Sequence, residues 1–282
     1  MGPRDLYSTP AELAAATVGV TMEQQNYLRH LVHRQVVEVP PGQRALFLAP
    51  HPDDIVLGCG GTILKLLARG VSCRLVYLTD GRAVTDEAGE DAMDARRAAE
   101  AKAVSAALGA EEPILLDWNE RTFTAPEHKA ELVDAVEGLL RANAPEAVFL
   151  PYLYDQHGDH RYANHLLAAA LERLETKPNV YGYEVWSFAP PGLVVDISAE
   201  LEGKKELMRN YASQLEFLDY LQLIDVVGRL HGPLAPGAEA CEAFFPFDPD
   251  AYIALVSELD LETPASRRSE VILMPPETWP KG

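Results

Sequence analysis

Two distant stretches of this chain share one pattern: an apolar run, a polar loop carrying His and Asp, then an amphipathic helix. The first is Ala45-Leu46-Phe47-Leu48, followed by Ala49-Pro50-His51-Pro52-Asp53-Asp54 and then by Ile55 to Gly70. The second is Ala147-Val148-Phe149-Leu150, followed by Pro151-Tyr152-Leu153-Tyr154-Asp155-Gln156-His157-Gly158-Asp159-His160 and then by Arg161 to Glu175. Short continuous apolar runs read as strands buried on both faces. In a parallel sheet both loops leave the same edge, the edge at which open α/β sheets place their sites. His51, Asp54 and His160 would then form a His-Asp-His set with an open position for water, the pattern of a catalytic metal site. Asp53 is left as a general base and His157 as a second ionisable group. Taken alone, Pro52-Asp53-Asp54 also reads as a turn and helix N-cap. The repeat of the pattern at 151–160 favours the site.

The rest of the chain fits the same alternation. Residues 72–78 predict a strand, ending in a third polar loop, Thr79-Asp80-Gly81-Arg82, which a turn alone would also explain. Residues 90–109 predict a helix. Pro113 to Leu116 predicts a strand running into Asp117-Trp118-Asn119-Glu120-Arg121. A helix over 125–143, strands over 180–187 and 194–197, and a helix from Ser198 to Phe217 follow. Residues 1–42 read as an N-terminal helical extension, with helices beginning at Thr9-Pro10 and spanning Thr21 to Val37. His30 and His33 there read as ordinary helix-face histidines. Beyond Asp219, prolines break the chain into short pieces, and Glu239 to Phe244 is strand-like or loop. The fragment Gly58-Cys59-Gly60-Gly61 is not a dinucleotide fingerprint, because its third glycine would fall on Ile63. Cys59 reads as a small buried residue before it reads as a metal ligand.

Paired in this way, Pro50-His51-Pro52-Asp53-Asp54 and His157-Gly158-Asp159-His160 resemble the LmbE / PIG-L family of zinc-dependent de-N-acetylases. That family carries Ala-His-Pro-Asp-Asp and, later, His-Pro-Asp-His; Pro50 and Gly158 are the departures here. The resemblance covers roughly residues 44 to 216. It implies an α/β, Rossmann-like three-layer sandwich with a mostly parallel sheet, occupying residues 43–282 with an irregular C-terminal part. It implies one zinc ion held by His51, Asp54 and His160. Asp53 resembles the general base, His157 (protonated) the group facing the oxyanion, and Asp159 a partner that orients a histidine. Arg97, in an Arg97-x-x-Glu100 match, resembles a substrate contact; Arg97 paired with Glu100 or Glu90 on the surface is the plainer reading. Asp80 resembles an acid near the metal pocket, and Asp117 or Glu120 an acid that contacts sugar hydroxyls. Trp118 suits either sugar stacking or core packing. Glu184, the run Asp196-Ile197-Ser198 to Gln214, and Glu242-x-Phe244 also resemble family features.

The implied reaction is removal of an N-acetyl group from an N-acetylglucosamine-type amino sugar. Two other readings stay open: hydrolysis of another amide, such as a thiol conjugate, and non-catalytic sugar binding on the same fold. The 282 residues carry 43 acidic and 24 basic side chains, a formal net charge of −19. That balance argues against nucleic acid and anionic membrane as partners and suits a small-molecule substrate. Three cysteines do not make a disulfide framework. No run is long enough for a membrane span and no signal peptide is visible, so a cytoplasmic protein is expected, with homo-oligomerisation open.

Overall fold

A computed structural model of the chain describes residues 35–81, 90–188 and 191–259. The helices read at Thr9 and over most of 21–37 lie outside them. The described residues build an eight-stranded sheet: β1 (Gln35–Val37), β2 (Arg44–Ala49), β3 (Ser72–Thr79), β4 (Ile114–Trp118), β5 (Ala147–Pro151), β6 (Asn179–Tyr183), β7 (Leu193–Asp196) and β8 (Cys241–Phe247). Its order is β1-β7-β8-β6-β5-β2-β3-β4. All pairings are parallel except those of β8, which runs antiparallel to both β6 and β7.

Among the described residues eight helices flank the sheet: α1 (Asp54–Ala68), α2 (Glu90–Leu108), α3 (Lys129–Asn143), α4 (Gly158–Glu172), α5 (Leu201–Met208), α6 (Ala212–Leu215), α7 (Tyr220–His231) and α8 (Pro249–Glu258). Alternate strand residues feed two cores, as a period of two requires. Phe47, Leu75, Tyr77 and Phe149 join α1, α5 and α7 on one face. Leu46, Leu48, Val76 and Val148 join α3, α4 and α8 on the other. Strands covered on both sides carry no polar alternation, which is why their sequences read as unbroken apolar runs. The fold is thus the expected mostly parallel α/β sandwich.

The run Gly58-Cys59-Gly60-Gly61 lies inside α1 and serves close packing. A Cβ on Gly58 would sit 2.2 Å from Tyr183 Cδ2, and one on Gly61 would sit 2.7 Å from Ile197. Only a helix without side chains at these positions can press this tightly on β6 and the end of β7. Cys59, Cys73 and Cys241 are buried free thiols.

Several elements differ from the sequence reading. Gln35–Val37 is an edge strand paired with β7, not the end of a helix, so the sheet takes in residues before 43. The strand over 180–187 stops at Tyr183, because Asp155 captures the N–H groups of Trp186 and Ser187 at 2.9 and 3.1 Å. The single helix over 198–217 is two, α5 and α6, separated at Arg209–Tyr211, where the Tyr211 side chain turns fully into the core. Helices α7 and α8 form in the stretch beyond Asp219 that reads from sequence as short pieces. The segment read as strand-like or loop is β8, inserted between β6 and β7.

Phe149 is the centre of one core. Its ring stacks on Phe47 at 4.6 Å and on Tyr181 at 4.9 Å, and meets Phe244 edge-on at 5.6 Å. Phe149→Ala is expected to lower unfolding free energy by about 3–5 kcal/mol, measured by denaturant titration; a loss under about 1 kcal/mol would refute this packing.

Candidate metal and active site

β2 lies between β3 and β5 in the sheet, with Phe47 opposite both Leu75 and Phe149. The chain leaves β2 towards β3 on one side and returns as β5 on the other, so the crevice beyond their C-terminal ends is a topological switch point. The loops 50–53 and 152–157 both open there. The first is clamped by its neighbours. Thr79 donates from its backbone N–H and its hydroxyl to Pro50 O at 3.0 and 2.9 Å. The Tyr183 hydroxyl donates to Leu48 O at 3.1 Å. The second loop ends at His157, whose Nδ1 accepts the Asp159 N–H at 3.2 Å and caps α4. Helix α4 therefore starts earlier than its apolar pattern suggests, with Asp159 and His160 in its first turn. Asn164 holds that turn by donating to Pro151 O and His160 O, and Tyr252 from α8 donates to Asn164.

Asp54 is the meeting point. Its Oδ2 accepts the His51 N–H at 3.0 Å and lies 3.2 Å from both His51 Nδ1 and His160 Nε2. Each imidazole has a further carboxylate on its other nitrogen. His51 Nε2 is 3.2 Å from Asp159 Oδ2 and 3.3 Å from Glu120 Oε1. His160 Nδ1 is 3.1 Å from Asp155 Oδ1. The His157 ring stands 4.8 Å from that of His51 and 4.9 Å from that of His160. Asp53 sits beside the cluster with Oδ1 at 3.1 Å from Arg97 Nη2, and the Tyr220 hydroxyl also bonds to Asp53. Arg97 lies against Gly81, where a Cβ would come within 2.6 Å of its Nε and where φ is +70°. Asp80 Oδ1 accepts the Glu120 N–H at 3.2 Å and so holds the turn that brings Glu120 to His51.

Burial disfavours a charged His160, but Asp54 and Asp155 outweigh it and raise its pKa to about 9. Against the same burial, Asp54 lifts His51 well above the usual imidazole range. Burial also opposes ionisation of Asp54, yet His160 and His51 hold its carboxyl well below the usual carboxylate range. His157 goes the other way, lowered first by burial and then by His51 and His160.

The residues present fit a divalent metal ion. In a tetrahedral site with bonds of ~2.0–2.1 Å, neighbouring donors stand ~3.3 Å apart, close to the 3.2 Å between Asp54 Oδ2 and either imidazole. His160 is fully buried, yet neither ring nitrogen makes a well-formed hydrogen bond. Donor atoms of His51, His157 and His160 lie within 4.8 Å of one another, as do those of His51, Glu120, His157 and Asp159. Five carboxylates (Asp53, Asp54, Glu120, Asp155, Asp159) converge here with the guanidinium of Arg97. Carboxylates and imidazoles are the donors that divalent ions of this kind take.

The structure thus gathers His51, Asp53, Asp54, Arg97, Glu120, His157, Asp159 and His160 in one cluster, with Asp80 behind it. Of the two acids left open after β4, Glu120 reaches His51, while Asp117 is exposed with φ +56°. Arg97 pairs with Asp53, and Glu100 turns instead to the N–H and hydroxyl of Ser213. Trp118 packs beside His128 with ring centres 5.2 Å apart. Two members had gone unassigned, Asp155 and Tyr220. Asp155 was visible as an acid in a strand-end loop beside the His157 motif. Tyr220 opens α7, whose N-cap Asp219 accepts the Gln222 N–H in the structure. A cavity of about 690 Å³ lies at the other end of the sheet, among Arg44, Glu146, Arg173 and Lys177. Its basic groups are already paired with carboxylates.

Fold and cluster together define an α/β protein with a histidine–carboxylate metal-type site at its switch point. The model of the PIG-L family, GlcNAc-PI de-N-acetylase, matches residues 46–171. A diacetylchitobiose deacetylase from Thermococcus kodakarensis is 30% identical over 190 residues, covering 61% of this chain and 70% of that protein. The chain belongs to the PIG-L family of deacetylases. Among solved structures, N,N′-diacetylchitobiose deacetylase from Pyrococcus horikoshii superposes with a TM-score of 0.65 at 23% identity, covering 87% of this chain and 96% of that one. GalB, the 4-carboxy-2-hydroxymuconate hydratase of Pseudomonas putida KT2440, gives 0.62 at 22%, covering 73% and 97%. At these identities the two structures speak for the fold alone.

The pKa of His160 has a consequence for metal-free protein. A folded value of about 9 above the ~6.5 of a free imidazole stabilises the fold fully below about pH 6.5, and the gain is lost as pH rises through about 9. Melting temperatures of chelator-treated wild type and His160→Gln are expected to converge across that range; a pH-independent gap would contradict the pairing.

Proposed function

We propose that this chain is a metal-dependent N-deacetylase acting on an N-acetylglucosamine-type amino sugar, with zinc as the ion and acetate and a free amine as products. One observation carries the reading: in a member of a deacetylase family, Asp54 Oδ2 lies 3.2 Å from two imidazoles, with the Asp53 carboxylate adjoining. His51, Asp54 and His160 hold the metal, which when bound polarises the acetamide carbonyl and acidifies a water.

The chain's own groups do the rest. Asp53 accepts the proton of the attacking water on a carboxylate oxygen and later delivers it to the leaving nitrogen. Arg97 and Tyr220 hold Asp53 in place from two sides. His157 donates to the developing oxyanion. Burial first, and then His51 and His160, lower its pKa. With Nδ1 accepting from the Asp159 N–H, the neutral ring carries its proton on Nε2, a donor. Asp159 orients His51 rather than His157, at 3.2 against 3.9 Å. Arg97, whose Nε and Nη1 have no partner among the described residues, and Glu120 offer the substrate polar contacts.

The reading also takes the deacetylase domain of 43–282 back to Gln35, because Gln35–Val37 pairs with β7, and places the protein in the cytoplasm, with homo-oligomers open. No described helix is long and apolar enough to cross a membrane.

The test is release of free amine from diacetylchitobiose and a panel of N-acetylglucosaminides, with chelation and zinc restoration. Release should vanish on chelation and return with zinc. Asp53→Asn should lower kcat by about 10²–10⁴-fold at unchanged zinc content. Zinc-independent release, or Asp53→Asn with near-normal kcat, would sink the mechanism. Release from thiol-conjugate amides alone would redirect the substrate class, and sugar binding without turnover would make the protein a binder.

A further inference from the structure

We propose that Asp155 is the positioning residue for His160: it fixes the tautomer and ring angle of that imidazole and ties them to the turn after β6. The proposal rests on the metal-site reading above.

Asp155 is fully buried. Its Oδ1 lies 3.1 Å from His160 Nδ1 and accepts the His157 N–H at 2.8 Å. Its Oδ2 accepts the N–H groups of Trp186 and Ser187 at 2.9 and 3.1 Å. Both of its oxygens already accept backbone N–H groups, Oδ1 from His157 and Oδ2 from Trp186 and Ser187, so it meets His160 as a carboxylate. A carboxylate can only accept. A proton must therefore sit on His160 Nδ1; when a cation replaces the Nε2 proton that faces Asp54, Nδ1 keeps its own and Nε2 offers the lone pair.

His51 shows the same design from the opposite side. One nitrogen faces Asp54 Oδ2, and the other is held by Asp159 and Glu120. Each imidazole that faces Asp54 thus has its own outer carboxylate, the arrangement by which proteins orient metal-binding histidines and raise their basicity. Arg161 secures the loop by donating to Asp155 O and Gln156 O at 2.7 Å. Trp186 in turn packs its ring 6.1 Å from that of Tyr220, the residue that bonds to Asp53. Through its two oxygens Asp155 couples the ligand side of the site to the wall carrying Trp186.

Asp155→Asn keeps the shape but leaves one acceptor oxygen for the donors that two oxygens now serve. Zinc affinity of the full chain, measured by chelator competition without substrate, is expected to fall about 10–100-fold while the variant still melts cooperatively. Unchanged zinc affinity in folded Asp155→Asn would overturn the proposal and leave the metal site standing. Should the variant fail to fold, ¹⁵N NMR of the zinc-loaded wild type decides. A protonated Nδ1 and unprotonated Nε2 on His160 support the proposal, and the reverse tautomer overturns it. Wild type that binds no zinc would fail the metal reading itself and this inference with it.

Discussion

The structure depends on one buried carboxylate shared by two imidazoles. Asp54 is almost wholly removed from water, a state that costs several kcal/mol for an unpaired ion. His51 and His160 offset that cost, and the His51 N–H adds a third contact to the same oxygen. The pairing holds only if two loops from different parts of the chain arrive at one point. The parallel pairing of β2 and β5 brings them there, and the aromatic stack of Phe47 on Phe149 sits directly beneath the site.

Around this pair the fold spends its tightest contacts on orientation. The C-terminal end of β3 clamps the first loop through Thr79, and β6 holds the end of β2 before it through the Tyr183 hydroxyl on Leu48 O. The glycines of α1 let the helix that begins at Asp54 lie flush against Tyr183 and Ile197. Tyr77 and Tyr211 join hydroxyls at 3.2 Å near Arg97 and Asp53. Carboxylates behind the histidines complete the set. A rigid, preorganised arrangement is what a hydrolytic site needs, because the donors must already point where charge develops.

Much of the fold was legible because the strands buried on both faces have no other reading than apolar runs, and the loops after them had no packing reason to carry His and Asp. The resemblance of two short motifs to a known family named the centre of the site. What stayed hidden followed from contacts distant in sequence. The end of β6 is set by a side chain from the loop after β5, which takes the N–H groups that would extend the strand. The break between α5 and α6 is set by the burial of Tyr211. The antiparallel β8 enters the sheet from a proline-rich region that reads as strand-like or loop, and its place between β6 and β7 is set by pairings distant in sequence.

The sequence by itself determined the alternating α/β class, the two loops that meet, and the residue types available for a metal and a base. Local chemistry decides those things, since apolar periodicity, caps and charged loops act within a few residues. Only the tertiary structure decided that Glu120 and not Asp117 turns to His51, that Arg97 faces Asp53, that Asp159 serves His51, and that Asp155 and Tyr220 belong to the cluster. Those assignments turn on which side chains a parallel sheet brings within about 3 Å across separations of tens to over a hundred residues, and no spacing along one chain encodes that distance.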